Sequence, residues 1–434
     1  MTEVLGSRPL RRSLFAVCGA FLLTAVAACG SGTTDSARAP TVLTGMSPQT
    51  GMSPQTGMSL PAQVVTPVIG TVMFAPTPFA GSDGQRHLVY EISLTNFTGG
   101  QATVTGVRAL DAQSTATLAT FDSDAVASRM KPTGAPAGGT APGAPDGYSN
   151  ILAGGQNGTL FVHIVIPPDV DTPTQLVHEV DILADAAPPG SNRMTETIAE
   201  VSVGDGEVPV LGPPLAGSNY IAADACCDAV RHTHALLPIN GTPYLAQRYA
   251  VDWEQADEQG RIFVGDPKDP AGYHIFGDDV VAVADGTVVQ SRNDLPEQEP
   301  GTYPQGIPIG EADGNNLVLD IGNGFYVNYA HMQPGSVRFA AGDTVKRGDV
   351  IGSVGNTGNS VAPHLHVHVM NGPSFLASQG VPSVTDAFTV TGQVASTADF
   401  DRSEGTGIPL VTKPDIPVTE HTDEMVLDQT LVTF

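Results

Sequence analysis

The sequence predicts an all-β protein with two globular domains in series. Three observations carry that expectation. Glycine (49) and proline (35) are abundant, which favours loops, turns and short strands over long helices. No long stretch keeps a helical period. Runs of β-branched and aromatic residues recur between turn residues, and 434 residues suits two domains plus linkers.

The first element is a targeting segment. Residues 1–29 hold Arg8, Arg11 and Arg12, then the apolar run LFAVCGAFLLTAVAA, and end at Cys29. A charged start, a short apolar core and small residues at the end make a signal peptide, and the run is short for a membrane span. Val26-Ala27-Ala28-Cys29 is similar to the bacterial lipobox, whose cysteine becomes the lipidated N-terminus. An extracytoplasmic lipoprotein, held to the cell membrane through Cys29, is the expectation. Residues 30–61 follow as a flexible tether, rich in Ser, Thr, Gly and Pro, with GMSPQT at 45–50 and again at 51–56.

Residues 62–205 read as a β-sandwich of immunoglobulin-like type. HLVYEISLTN (87–96), TVTGVRAL (103–110), TLFVHIVI (159–166) and LVHEVDIL (176–183) are its strand-like segments. The Pro/Gly insertion at 131–148 cannot pack as regular structure. No nucleophile, ligand cluster or phosphate loop appears in this domain. Its histidines, His87, His163 and His178, are scattered and read as surface or structural residues, and the domain as a spacer or binding module. Residues 206–218 form the expected linker, 219–400 the second domain, and 401–434 an acidic extended tail whose apolar end can add a strand.

The chemistry lies in GNTGNSVAPHLHVHVM (355–370). His364, His366 and His368 occupy alternate positions, so in a strand their imidazoles share one face while Leu365, Val367 and Val369 share the other. A row of imidazoles is a poor core and a good metal site. Charge narrows the class further. Asp and Glu (45) outnumber Lys and Arg (19), for a net charge of −26, which argues against nucleic acid and against direct electrostatic membrane binding. Of four cysteines, Cys18 lies in the signal core and Cys29 in the lipobox. Adjacent Cys226 and Cys227 read as two ordinary buried thiols, with a strained disulfide or a metal contact as alternatives.

Residues 230–390 resemble the LytM-type (M23, lysostaphin-like) zinc peptidases, which cut bacterial cell-wall cross-bridges. The resemblance rests on RYAVDW (248–253), VVAVADGTVV (280–289), GNNLVLDIGNGFYVNYAHM (314–332) and GDTVKRGDVIGSVGNTGNSVAPHLHVHV (342–369), in the family's order. It implies a mostly antiparallel β domain with a groove and a catalytic Zn2+. It further implies Asp252 and His366 as zinc ligands, and His364 with His331 as the groups that move protons and stabilise the tetrahedral intermediate. The implied substrate is the peptide of peptidoglycan.

One position departs from the pattern. The family's first segment reads His-x-x-x-Asp, whereas here Arg248 precedes Asp252 by four. Arginine has no lone pair to give, and two ligands are too few for a catalytic zinc. In one reading an upstream histidine of RHTHALLPINGTPY (231–244) supplies the third ligand, as in a subset of the family with an arginine here; His232 is preferred over His234. In the other, Arg248 bonds Asp252 and fills the metal position, leaving a degenerate module that scaffolds or regulates cell-wall hydrolases. Retention of His331, His364 and His366 favours the enzyme.

Overall fold

The strand-like segments of the first domain form strands that pair antiparallel in two sheets. The computed structural model describes residues 64–135 and 145–434. The signal segment, Cys29 and the whole tether lie outside them. Pro67–Phe434 constitute one compact unit. No helix among the described residues is long and apolar enough to cross a membrane.

One sheet of the first domain runs Val68–Val72, Arg86–Asn96, Asn157–Ile166, Met130–Pro132; the other runs Arg193–Ser202, Gln175–Ala184, Ala102–Asp111, Thr117–Asp122. Lys131 and Pro132, at the head of the Pro/Gly insertion, thus belong to a strand. Gln175–Ala184 alternates half-buried and buried residues along its whole length, the period-2 signature of a strand with one face on a core. Leu88, Tyr90, Ile92 and Leu94 meet Leu176, Val180 and Ile182 between the sheets.

Arg86–Asn96 is buried on both faces because the second domain covers its outer side. His87, Val89 and Glu91 face that way, and Val89 shares an apolar cluster with Phe79, Cys226, Cys227, Tyr249, Val384 and Met425. The segment expected as a linker is tied down at Val210–Leu211, which pairs in parallel with Val384–Thr385.

The second domain is built on a ten-stranded antiparallel sheet. Its middle carries Asn315–Gly322, Phe325–Met332, Leu365–Met370, Val251–Gln255 and Tyr220–Ala223 side by side. Trp253, Leu365, Val369 and Tyr329 point into its core. Two expectations are corrected here. The tail is not extended throughout: Thr397–Thr406 is a helix capped by Ser396, with Phe400 buried, while the apolar end does add a strand, Thr430–Thr433, to the sheet between Tyr220–Ala223 and Phe388–Gln393. Thr430 and Val432 supply its buried face. Cys226 and Cys227 are not two thiols; they form a disulfide with each other.

Candidate functional site

The site grows out of the strand register. Antiparallel pairing sets Asp252 directly across from His366 and Ala330 on the other side of it. Since Trp253 and Leu365 go to the core, period-2 alternation sends Asp252 and His366 together to the opposite face. His366 Nδ1 lies 2.8 Å from Asp252 Oδ1. His364, just ahead of the strand, brings Nε2 to 3.4 Å from the same oxygen. His232, from the loop after Tyr220–Ala223, places Nε2 3.4 Å from Asp252 Oδ2.

Backbone carbonyls set the ring orientations. His232 Nδ1–H donates to the Asp224 carbonyl (2.8 Å), His364 Nδ1–H to that of Ala362 (2.8 Å) and His331 Nδ1–H to that of Thr357 (2.7 Å). In each ring this leaves Nε2 with a lone pair. His331 sits at the end of its strand with φ +62°, a conformation rare outside glycine, and its N–H donates to the Asp313 carbonyl. Its ring centroid is 4.6 Å from that of His364. His368 stands behind His366, Nδ1 to Nε2 at 2.8 Å, and so holds that ring instead of joining the site.

Electrostatics agree with this arrangement. Burial raises the Asp252 carboxyl, but His232, His364 and His366 around it hold it well below the usual carboxylate range. Burial pushes His331 well below the ordinary histidine range, and His366 below it against the pull of Asp252. Burial thus favours the neutral form of the His331 and His366 rings beside the Asp252 carboxylate.

The donor atoms of His232, Asp252 and His366 all lie within 4.8 Å of one another, and so do those of His331, His364 and His366. One carboxylate oxygen and two imidazole nitrogens fit a divalent zinc and leave a fourth position open. His234 goes elsewhere: its ring stacks on Phe161 at 4.0 Å and its Nδ1 meets the Tyr148 hydroxyl at 3.0 Å.

Arg248 does not bond Asp252, which corrects that premise of the degenerate reading. Its guanidinium turns to the first domain and forms a two-pronged pair with Glu91, Nε–Oε1 2.8 Å and Nη2–Oε2 2.7 Å, with Phe74 beneath it. Glu91 was missed in the sequence, although an acid in the middle of HLVYEISL signals a buried partner. Missed too were Asp313 and Asn328, joined through Asn328 Nδ2–H (2.5 Å) below His331. Asn328 could have been found as a polar residue at an inward strand position, whereas Asp313 lies in the turn before Asn315–Gly322 and gave no such signal.

Residues 272–378 match the model of Peptidase family M23. That match lies wholly within the second domain. The match takes in His331, His364 and His366; His232 and Asp252 precede it. An 80-residue stretch is 35% identical to Endolysin 2638A of Staphylococcus phage 2638A, covering 18% of this chain and 16% of the endolysin. The chain thus spans about a sixth of that relative's length. Among solved structures, the catalytic domain of lysostaphin from Staphylococcus simulans is similar at 27% identity, over 33% of this chain and 80% of that one, with a TM-score of 0.20. The catalytic domain of the prophage-encoded M23 protein EnpA from Enterococcus faecalis aligns at 18% identity, over 40% and 93%, with a TM-score of 0.23.

Proposed function

We propose that this protein is a cell-envelope zinc endopeptidase that hydrolyses peptide cross-links of peptidoglycan. One observation carries the reading: His232, Asp252 and His366 converge as a three-donor set while Arg248 is drawn away to Glu91. His232 stands where ligand arithmetic needs a third donor, so the arginine in the family's histidine position costs the site nothing. The scaffold reading required Arg248 in the metal position and loses that support.

His232, Asp252 and His366 would hold the zinc, which when bound lowers the pKa of water and polarises the scissile carbonyl. The chain's own groups do the rest. His364, oriented by the Ala362 carbonyl, presents Nε2 to take a proton from the attacking water. His331, oriented by the Thr357 carbonyl, stands beside it. Once protonated, either ring donates a hydrogen bond to the developing oxyanion and returns the proton to the departing amine. The lipobox places this activity outside the cytoplasm, at the membrane, with Cys29 as the anchor and residues 30–61 as the reach to the wall.

The test is zinc stoichiometry alongside digestion of purified peptidoglycan. The parent is expected to bind zinc and to digest. Asp252→Ala and His366→Ala lose most of the metal, a larger effect than the roughly 10–100-fold of an outer-shell change. His364→Ala keeps the metal and loses turnover. A parent that binds no zinc and releases no peptide sinks the enzyme and returns the scaffold.

A further inference from the structure

We propose that His87, His163 and Cys227 form a second metal site, opened by reduction of the Cys226–Cys227 disulfide, for a thiophilic divalent cation such as Zn2+. It lies where the two domains meet and shares no residue with the centre around Asp252.

The geometry starts from sheet register. His87 and His163 come from adjacent strands, Arg86–Asn96 and Asn157–Ile166, in which Val89 pairs with His163 and His87 with Val165. The histidines are thus diagonal neighbours on one face, the face that the second domain covers. Their rings stack with centroids 5.2 Å apart, and His87 Nδ1 is 2.9 Å from His163 Nε2. Cys227, from the loop after Tyr220–Ala223, brings its sulfur into a set in which Sγ and one nitrogen of each ring all lie within 4.8 Å of one another. His87 and Cys227 are buried.

The outer nitrogens decide what this cluster is for. His87 Nε2 lies 3.0 Å from Asp83 Oδ1, and His163 Nδ1 lies 3.0 Å from Asp228 Oδ2. Two neutral rings that donate outward to these carboxylates turn two bare lone pairs toward each other. A cation between them relieves that arrangement. Imidazoles backed by carboxylates are the usual setting of metal-bound histidine. Arg129 donates to the same Asp228 and helps hold it.

Oxidation state sets the donor count. A disulfide sulfur is a feeble donor, so the oxidised protein offers two nitrogens. A dithiol reductant passes two electrons and two protons to the Cys226–Cys227 bond, becoming a disulfide itself and leaving two thiols. Cation binding then releases the Cys227 proton to solvent and gains a thiolate. Two imidazoles and one thiolate suit zinc, with a fourth position for water.

The experiment uses the full chain with Cys18→Ser and Cys29→Ser, so that Cys226 and Cys227 are its only cysteines. Metal-free protein is titrated with Co2+, a coloured stand-in for zinc, with and without a phosphine reductant. Reduction is expected to add one equivalent of bound Co2+ and a thiolate-to-cobalt charge-transfer absorption, both reversed by Zn2+. Because the increment is what is read, the outcome does not depend on the proposed catalytic centre. His87→Ala, His163→Ala and Cys227→Ser should each abolish the increment. Cys226→Ser should show it with no reductant. An absorption that survives Cys227→Ser overturns the proposal. So does an unchanged stoichiometry in both the reduced parent and Cys226→Ser.

Discussion

Replacing Glu91 by glutamine isolates what Arg248 does. Glu91 is fully buried and Arg248 is 4% exposed, so Glu91→Gln leaves a guanidinium in the interior with no counter-charge. Two unit charges about 4 Å apart interact by about 4 kcal/mol at an effective dielectric of about 20. Removing one member of a buried pair costs about 3–5 kcal/mol by experience with such pairs. The two figures agree, and they correspond to a fall of roughly two to three and a half orders of magnitude in the folding constant. The Gly380 carbonyl, 3.2 Å from Nη1, and the face of Phe74 remain to the arginine and temper the loss. Urea unfolding of the parent, Glu91→Gln and the double variant Glu91→Leu/Arg248→Met measures it. The double variant replaces the pair by apolar groups and should recover most of the loss. Zinc stoichiometry should be unchanged in the double variant, because the guanidinium points away from Asp252. A cost below about 1 kcal/mol for Glu91→Gln refutes the buried-pair argument. Loss of zinc in a double variant that remains folded refutes the claim that Arg248 has no part in the metal centre.

Four further outcomes are expected. His232→Ala should lose zinc while His234→Ala, whose ring is spent on Phe161 and Tyr148, keeps it and loses stability instead; equilibrium dialysis separates the two. Burial pushes the Asp313 carboxyl up to about 7 from an ordinary 3.8, so the native state holds its proton: this contribution is fully present below about pH 4 and is lost as pH rises through 7. Asp313→Asn should flatten that part of the stability–pH curve, which spans roughly 4 kcal/mol, and an unchanged slope in chemical denaturation would refute the assignment. Gly358 has φ +79°, and a Cβ there would meet the Gly314 nitrogen at 2.3 Å; Gly358→Ala should cost at least about 2 kcal/mol and displace the neighbouring Thr357 carbonyl from His331, seen as lost turnover and a lowered melting temperature. Cys29→Ala should move the protein from the membrane to the soluble fraction and end incorporation of labelled fatty acid; retention in the membrane would remove the anchor.

Much of the architecture is legible in local pattern. The alternation of LVHEVDIL and of HLHVHVM names strands and their buried faces, because side-chain direction in a strand repeats every two residues whatever lies across it. The same period, applied to VDW, sends Asp252 to the face opposite Trp253. Local pattern also marks His364 and His366 as chemistry, while the family resemblance implies His331 and makes Arg248 an anomaly. It does not say where Arg248 finds its counter-charge: Glu91 is 157 residues away, and only the docking of one domain on the other brings it within 2.7 Å. The choice between His232 and His234 is of the same kind. Alternate residues in one short segment look equivalent, yet one ring turns to Asp252 and the other to Phe161, because different domains pack on the two sides of the loop. The helix Thr397–Thr406 and the Cys226–Cys227 bond were missed for a related reason. A short helix is held by what its buried side packs against, and the state of a thiol depends on what reaches it. The sequence by itself determined the strand faces and the inventory of donors. The tertiary structure decided which donors meet, because ligand sets and buried charge pairs are made between segments far apart in the chain, and their distances exist only after packing.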